Sequence, residues 1–233
     1  MMRYFLGMGV GVWMVVGTLA CHAPKRSVTT QHTTTTTVVS GSSAGNEEAE
    51  IARPSAEEEE QMMVDEINLV RENPSGYIST VNAYVEEQKA KLERIVSGKQ
   101  YVLETIKVAQ ELNEQLKKTP KLSVLKVHEG VYSAAKKHAL NCNRQGECNH
   151  QDTNGLWPWD RVLKEDPTLT DANECLVGGG RSAQESLLML LIDAGIPNRG
   201  HRNTILRPEW KYVGVYQTTV GEYPSYWVLN FAY

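Results

Sequence analysis

Leu191-Ile192-Asp193-Ala194-Gly195-Ile196-Pro197-Asn198-Arg199-Gly200-His201-Arg202-Asn203-Thr204-Ile205-Leu206 is the stretch that decides the fold. A strong helix signal leads into it. Ser182 with Glu185 has the spacing of a capping box. Leu187, Leu188, Leu190 and Leu191 then carry a helix that ends near Gly195. An acid, Asp193, stands at the end of that helix, and an imidazole, His201, follows the Gly-rich turn.

Working outward, Tyr212–Thr219 and Ser225–Tyr233 are rich in β-branched and aromatic residues. A turn around Gly221–Pro224 separates them and predicts an antiparallel hairpin. On the other side, Ala172–Val177 reads as a strand before the Gly178-Gly179-Gly180 break, and the rest of 143–181 as loop with short strands. Four helices are predicted further back. The first starts at a second capping box, Ser55 with Glu58, carries Met63, Ile67 and Val70, and stops at Asn73-Pro74. The second runs from Ser75 to near Gly98 with Tyr77, Val81, Tyr84 and Val85 inward. The third carries Val102, Ile106, Ala109, Leu112 and Leu116 and ends at Thr119-Pro120. The fourth carries Val131, Ala134, Ala135, His138, Ala139 and Cys142. These stripes are core faces, and His138 among them reads as a satisfied core histidine. His128, near a helix start, reads as surface. Helices before and between a few strands predict a layered α+β domain.

Several segments together resemble the CAP superfamily, also called SCP-like, which takes in cysteine-rich secretory proteins, antigen 5 and plant pathogenesis-related proteins. They are Ile67-Asn68-Leu69-Val70-Arg71-Glu72-Asn73-Pro74, Gly146-Glu147-Cys148-Asn149-His150-Gln151-Asp152-Thr153-Asn154-Gly155, Asp160-Arg161, Asn173-Glu174-Cys175 and the stretch Leu191–Leu206. The likeness is to the microbial branch and covers roughly 62–233. It implies a three-layer α-β-α sandwich with a small antiparallel sheet, preceded here by extra N-terminal helices. It also implies a central cleft lined by two His and two acids. Residue by residue these fall on His150, Glu174, Asp193 and His201. Asn173 and Cys175 replace the Gly and Asn that flank the first acid in the family, and Asp193 is one methylene shorter than the usual Glu.

Two imidazoles and two carboxylates have three chemical uses. They form a weak, exchangeable site for a divalent metal such as zinc, with the rings ligating and the acids ligating or orienting. They act as an acid–base pair in metal-assisted peptide hydrolysis. Or they brace loops as a purely structural network in a surface protein. The first choice is a non-enzymatic binding module for an apolar, lipid or sterol-like ligand, or for an envelope or host surface protein. Trp157, Trp159 and Trp210 then line an apolar groove or simply pack. Arg161 and Arg199 are candidate ion-pair partners that pin loops to the cleft rim, and Arg202 reads the same way. Cys142, Cys148 and Cys175 cannot all pair within one chain: Cys142 with Cys148 closes a small loop before His150, and Cys148 with Cys175 is the rival. A free Cys175 beside acids would be a poor nucleophile.

The front of the chain reads as export machinery. Arg3 precedes a 17-residue uncharged run, Tyr4 to Ala20, short of the roughly 20 residues of a membrane span. Residues 1–21 are therefore expected to be a signal peptide. Thr18-Leu19-Ala20-Cys21 resembles a bacterial lipoprotein cleavage site, with Cys21 as the lipidated residue; plain secretion and a retained anchor are the alternatives. All three place the remainder outside the cytoplasm, and any membrane association comes only through a lipid anchor. Residues 22–54 read as a tether: 27–45 hold seven Thr, four Ser and two Gly, too little apolar surface to offset ordering entropy. Residues 55–120 are expected to form a helical segment packed on a core domain at 121–233. The 233 residues, 41% hydrophobic and 22% charged, are globular in composition. Of the net charge of −4, residues 47–60 contribute −6 and the rest +2, with no basic block of the kind that binds nucleic acid.

Overall fold

Capping side chains set where the helices begin. The computed structural model describes residues 54–233. The signal segment, Cys21 and nearly all of the tether lie outside the described residues. Ser55 caps α1 (Ala56–Glu72) with the full reciprocal box: Ser55 Oγ accepts from Glu58 N, and Glu58 accepts from Ser55 N. Asn73 ends α1 and caps α2 (Pro74–Leu92) by accepting from Gly76 N. Pro74, rather than Ser75, opens α2, because a first helical position needs no N–H. α2 stops at Leu92, short of the expected Gly98, which instead stands before α3 (Lys99–Leu116).

A two-residue strand, β1 (Lys126–Val127), precedes α4 (Glu129–Gln145). The segment expected to be loop contains a helix, α5 (Pro158–Glu165). Eight residues are too few to show a helical period, but its start carries the right chemistry: Pro158 at the first position and Asp160 accepting from Trp157 N. β2 (Ala172–Gly178), α6 (Ala183–Ile192), α7 (Gly200–Ile205), β3 (Tyr212–Val220) and β4 (Tyr223–Ala232) complete the chain. Ser182 caps α6 by accepting from Glu185 N, but Glu185 turns its carboxylate to Arg181 instead of closing the box.

The sheet order is β1-β3-β4-β2. The hairpin β3–β4 and the pair β2–β4 are antiparallel; β1 adds a short parallel pairing to β3. Strand alternation splits the core in two. Cys175, Val177, Val213, Val215, Trp227, Leu229 and Phe231 face α1 and α6, and through them α2 and α3. Ala172, Val228 and Ala232 face α4 and α5, meeting Val131, Ala134, Ala135, Ala139 and Val162. The result is the expected three-layer sandwich, with α1 part of the main core. Small residues bring α4 close to the sheet: a Cβ on Gly214 of β3 would collide with the backbone of Val131 and Tyr132. Trp210 is buried with its indole donating to Thr204 O, so it packs the core and lines no groove. No helix among the described residues is long and apolar enough to cross a membrane.

Candidate functional site

Glu174 sits mid-strand on β2, on the α4 face, directly opposite Asn230 of β4. Its carboxylate is fully buried and fully used. Oε2 accepts from Arg161 Nη2 at 2.6 Å and, with the Asn230 amide oriented to suit both neighbours, from Asn230 Nδ2 at 3.1 Å. Oε1 accepts from His150 Nδ1 at 3.0 Å. A buried charge persists only when paired and hydrogen-bonded in this way.

The loop that carries His150 is fixed from three sides. Cys142 and Cys148 form a disulfide, tying the loop to the end of α4, and Cys175 is left free. His138 Nε2 lies 2.9 Å from Asn149 O, so the ring donates there. Arg161 Nη1 donates to both His150 O and Leu156 O. His138 is thus a core histidine with only one nitrogen satisfied; its Nδ1 has no partner. Burial pushes its imidazole below the usual value, against a weaker opposing pull from Glu174. His128 is half-buried rather than surface, 3.4 Å from Asp166.

The second pair is built by a strained turn. Asp193 caps the end of α6 in the left-handed region, φ 58°, and Arg199 repeats that conformation before α7, φ 51°. Non-glycine residues hold such angles only where surroundings enforce them. Here Asp193 accepts from His201 N at 3.0 Å through Oδ2 and from His201 Nδ1 at 2.8 Å through Oδ1. Two arginines clamp the turn. Arg199 donates to Asp193 O and Ile196 O and pairs with Glu111 of α3. Arg202, fully buried, donates to Leu191 O and Ile192 O, taking up the last carbonyls of α6, and also pairs with Glu111. Both arginines therefore hold the loop, Arg202 from inside the core.

The four residues thus form two imidazole–carboxylate pairs, one on each side of Cys175. Cys175 Sγ lies 3.8 Å from His201 O, and Glu174 precedes it on the strand. Burial first, then the Glu174 and Asp193 carboxylates, push the Cys175 thiol up. The acids are enclosed, with side chains 0% and 2% exposed, while the rings reach solvent at 44% for His150 and 22% for His201. Among the described residues, the one set of three potential metal-ligand atoms mutually within 4.8 Å is His138, Cys142 and Cys148. Its sulfurs are bonded to each other, which removes them as ligands.

A sequence profile of the cysteine-rich secretory protein (CAP) family matches residues 64–231. The chain belongs to the CAP family. No curated protein matches it in sequence. Among solved structures, an outer surface protein from Borrelia burgdorferi is similar at 18% identity and a TM-score of 0.41, over 59% of this chain and 95% of that one. An extracellular SCP-domain protein from Bacillus anthracis str. Ames is similar at 17% identity and a TM-score of 0.40, over 57% of this chain and 38% of that one. Within this CAP domain, Arg161 joins the Glu174 pair directly, while Asn230 and the His138–Asn149 bond carried no sequence signal. Asn230 is one of several polar residues on the hairpin, and only the strand register sets it against Glu174.

Proposed function

We propose that this CAP domain is an extracytoplasmic binding module whose two imidazoles, His150 exposed and His201 partly exposed, hold a divalent cation of the zinc type. One observation carries the reading: both rings present Nδ1 to a buried carboxylate. A carboxylate accepts, so Nδ1 carries the proton and Nε2 keeps its lone pair in the neutral ring. Among the described residues Nε2 of neither His150 nor His201 has a hydrogen-bond partner. Such carboxylate-oriented rings are the donor set that metal-binding histidines use. Glu174 and Asp193 are spent on orienting the rings, and Glu174 on Arg161 as well, so they act behind the ligands. Two protein ligands leave the remaining coordination positions to water or a ligand oxygen, which makes the site weak and exchangeable. When bound, the cation supplies a Lewis-acidic anchor for such an oxygen.

The Cys142–Cys148 disulfide supports an oxidising compartment. Anchoring through Cys21 remains part of the proposal, as a lipid-modified form of the same exported protein. The buried Cys175 does not supply a nucleophile, which favours binding over cysteine-type hydrolysis. The test is Zn²⁺ titration of the full chain by calorimetry. One equivalent should bind to the wild type, and His150→Ala or His201→Ala should abolish it with folding intact. A mixed peptide library assayed with and without chelator distinguishes the alternative: chelator-sensitive cleavage lost in His201→Ala identifies a metal-assisted peptidase.

A further inference from the structure

A cavity of about 500 Å³ lies between the end of α2 and the turn that joins β2 to α6. None of His150, Glu174, Asp193 and His201 lines it. Its volume is in the range of about 300–1,000 Å³ that small-ligand sites occupy. Gln88 of α2 stands in its wall. The residue is only 5% exposed, and among the described residues its amide has no hydrogen-bond partner. Gln88 Nε2 and Oε1 are nevertheless not sealed from solvent, so the amide opens onto the cavity. A buried carboxamide is normally satisfied within the protein. This one instead holds a donor and an acceptor side by side for whatever enters.

The charges of the wall are divided unequally. Arg181 takes up both acids: its Nε and Nη2 donate to Glu185, and Nη2 donates to Glu87 as well. Lys91 and Arg94 make no ion pair or side-chain hydrogen bond among the described residues. Three cations against two acids leave the wall at +1, which matches one carboxylate and not a polyanion. Gln88 and Lys91 lie one turn apart on α2, and Arg94 continues the row in the turn that follows. Six residues at 1.5 Å each make that row about 9 Å long, and two residues of extended chain span about 7 Å. Across from it Gly179, at φ 93°, presents bare backbone to the cavity. A simple anion would leave Gln88 unused, and a neutral amide would leave the two cations unused. The carboxyl end of a peptide carries both groups one residue apart.

We propose that this cavity binds the free carboxyl end of a peptide, with the terminal carboxylate on Lys91 and Arg94 and the last peptide group hydrogen-bonded to the Gln88 amide. The site needs no metal and stands apart from the cation reading. The experiment uses the full chain and three probes in calorimetry: N-acetyl-alanyl-alanine with a free carboxylate, the same peptide with its carboxyl end amidated, and acetate. The free acid should bind with a Kd of about 1 mM or tighter, and the other two at least tenfold more weakly, by about one charge-assisted hydrogen bond. Gln88→Leu should weaken the free acid about tenfold while Tm holds or rises, because no internal hydrogen bond is lost. The double variant Lys91→Ala/Arg94→Ala, altered only at exposed residues and so expected to fold, should bring the free acid to the level of the amidated peptide. His150→Ala should keep peptide binding while losing Zn²⁺, which separates the two sites. Absence of binding by the free acid, equal affinity for the amidated peptide or for acetate, or affinity unchanged in Gln88→Leu or in the double variant would overturn the proposal. A Gln88→Leu chain that melts several degrees lower would assign the amide to the fold and overturn it too.

Discussion

Replacing Glu174 by Leu is the sharpest perturbation of the site. The carboxylate has no solvent exposure and accepts from Arg161, His150 and Asn230. Its loss leaves the Arg161 guanidinium, itself nearly enclosed, with two carbonyls and no counter-charge. Stranding one member of a buried pair costs about 3–5 kcal/mol. For a domain of this size that lowers Tm by about 10 °C. The double variant Glu174→Leu/Arg161→Met removes both charges, and apolar replacement of a whole pair is often close to neutral. It should regain at least half of the loss, short of full recovery because Asn230 Nδ2 and the carbonyls of His150 and Leu156 lose partners. Urea unfolding of the full chain and its single and double variants measures this directly. The reasoning fails if Glu174→Leu lies within about 1 kcal/mol of wild type, or if the double variant is as unstable as the two singles summed.

Three further outcomes are expected. Reducing the Cys142–Cys148 bridge, which closes a short loop, should cost about 2 kcal/mol by loop entropy and loosen Zn²⁺ binding through His150; an unchanged melting curve in reductant would contradict this. His138, whose pKa burial holds below the ordinary 6.5, should make stability fall on acidification: above 6.5 both states are neutral, and below it the unfolded chain takes up a proton that the folded ring resists. Wild type should therefore lose more stability between pH 7 and 5 than His138→Gln, and equal pH slopes would count against it. Gly214→Ala should destabilise by about 1–3 kcal/mol or more, because the new methyl meets the α4 backbone at Val131 and Tyr132; a neutral effect in thermal unfolding would refute the close approach.

The elements most legible in the sequence are those with local chemistry. The Ser55–Glu58 box, the Asn73-Pro74 stop and the β-rich hairpin name their own boundaries, since each signal lies within a few residues of what it controls. α5 and α7 escaped because helices of eight and six residues show no period, and β1 escaped because two residues cannot alternate. The site divides the same way. His150, Glu174, Asp193 and His201 were reachable through the family likeness, but their assembly as two separate carboxylate-held pairs was not. Glu174 meets Asn230 only through strand register, and Arg202 looked like a rim residue until its burial beneath α6 was visible. The same is true of Trp210, which shares its residue type with the exposed Trp157 and Trp159 and differs only in packing.

The most direct measurement is a long-range proton–nitrogen NMR spectrum of the full chain with labelled histidine, recorded at a pH where the rings are neutral. His150 and His201 should both show the proton on Nδ1 and a bare Nε2, and zinc should shift the two Nε2 signals together. Protons on Nε2 in either ring, or a zinc response confined to one histidine, would contradict a cation held jointly by the two.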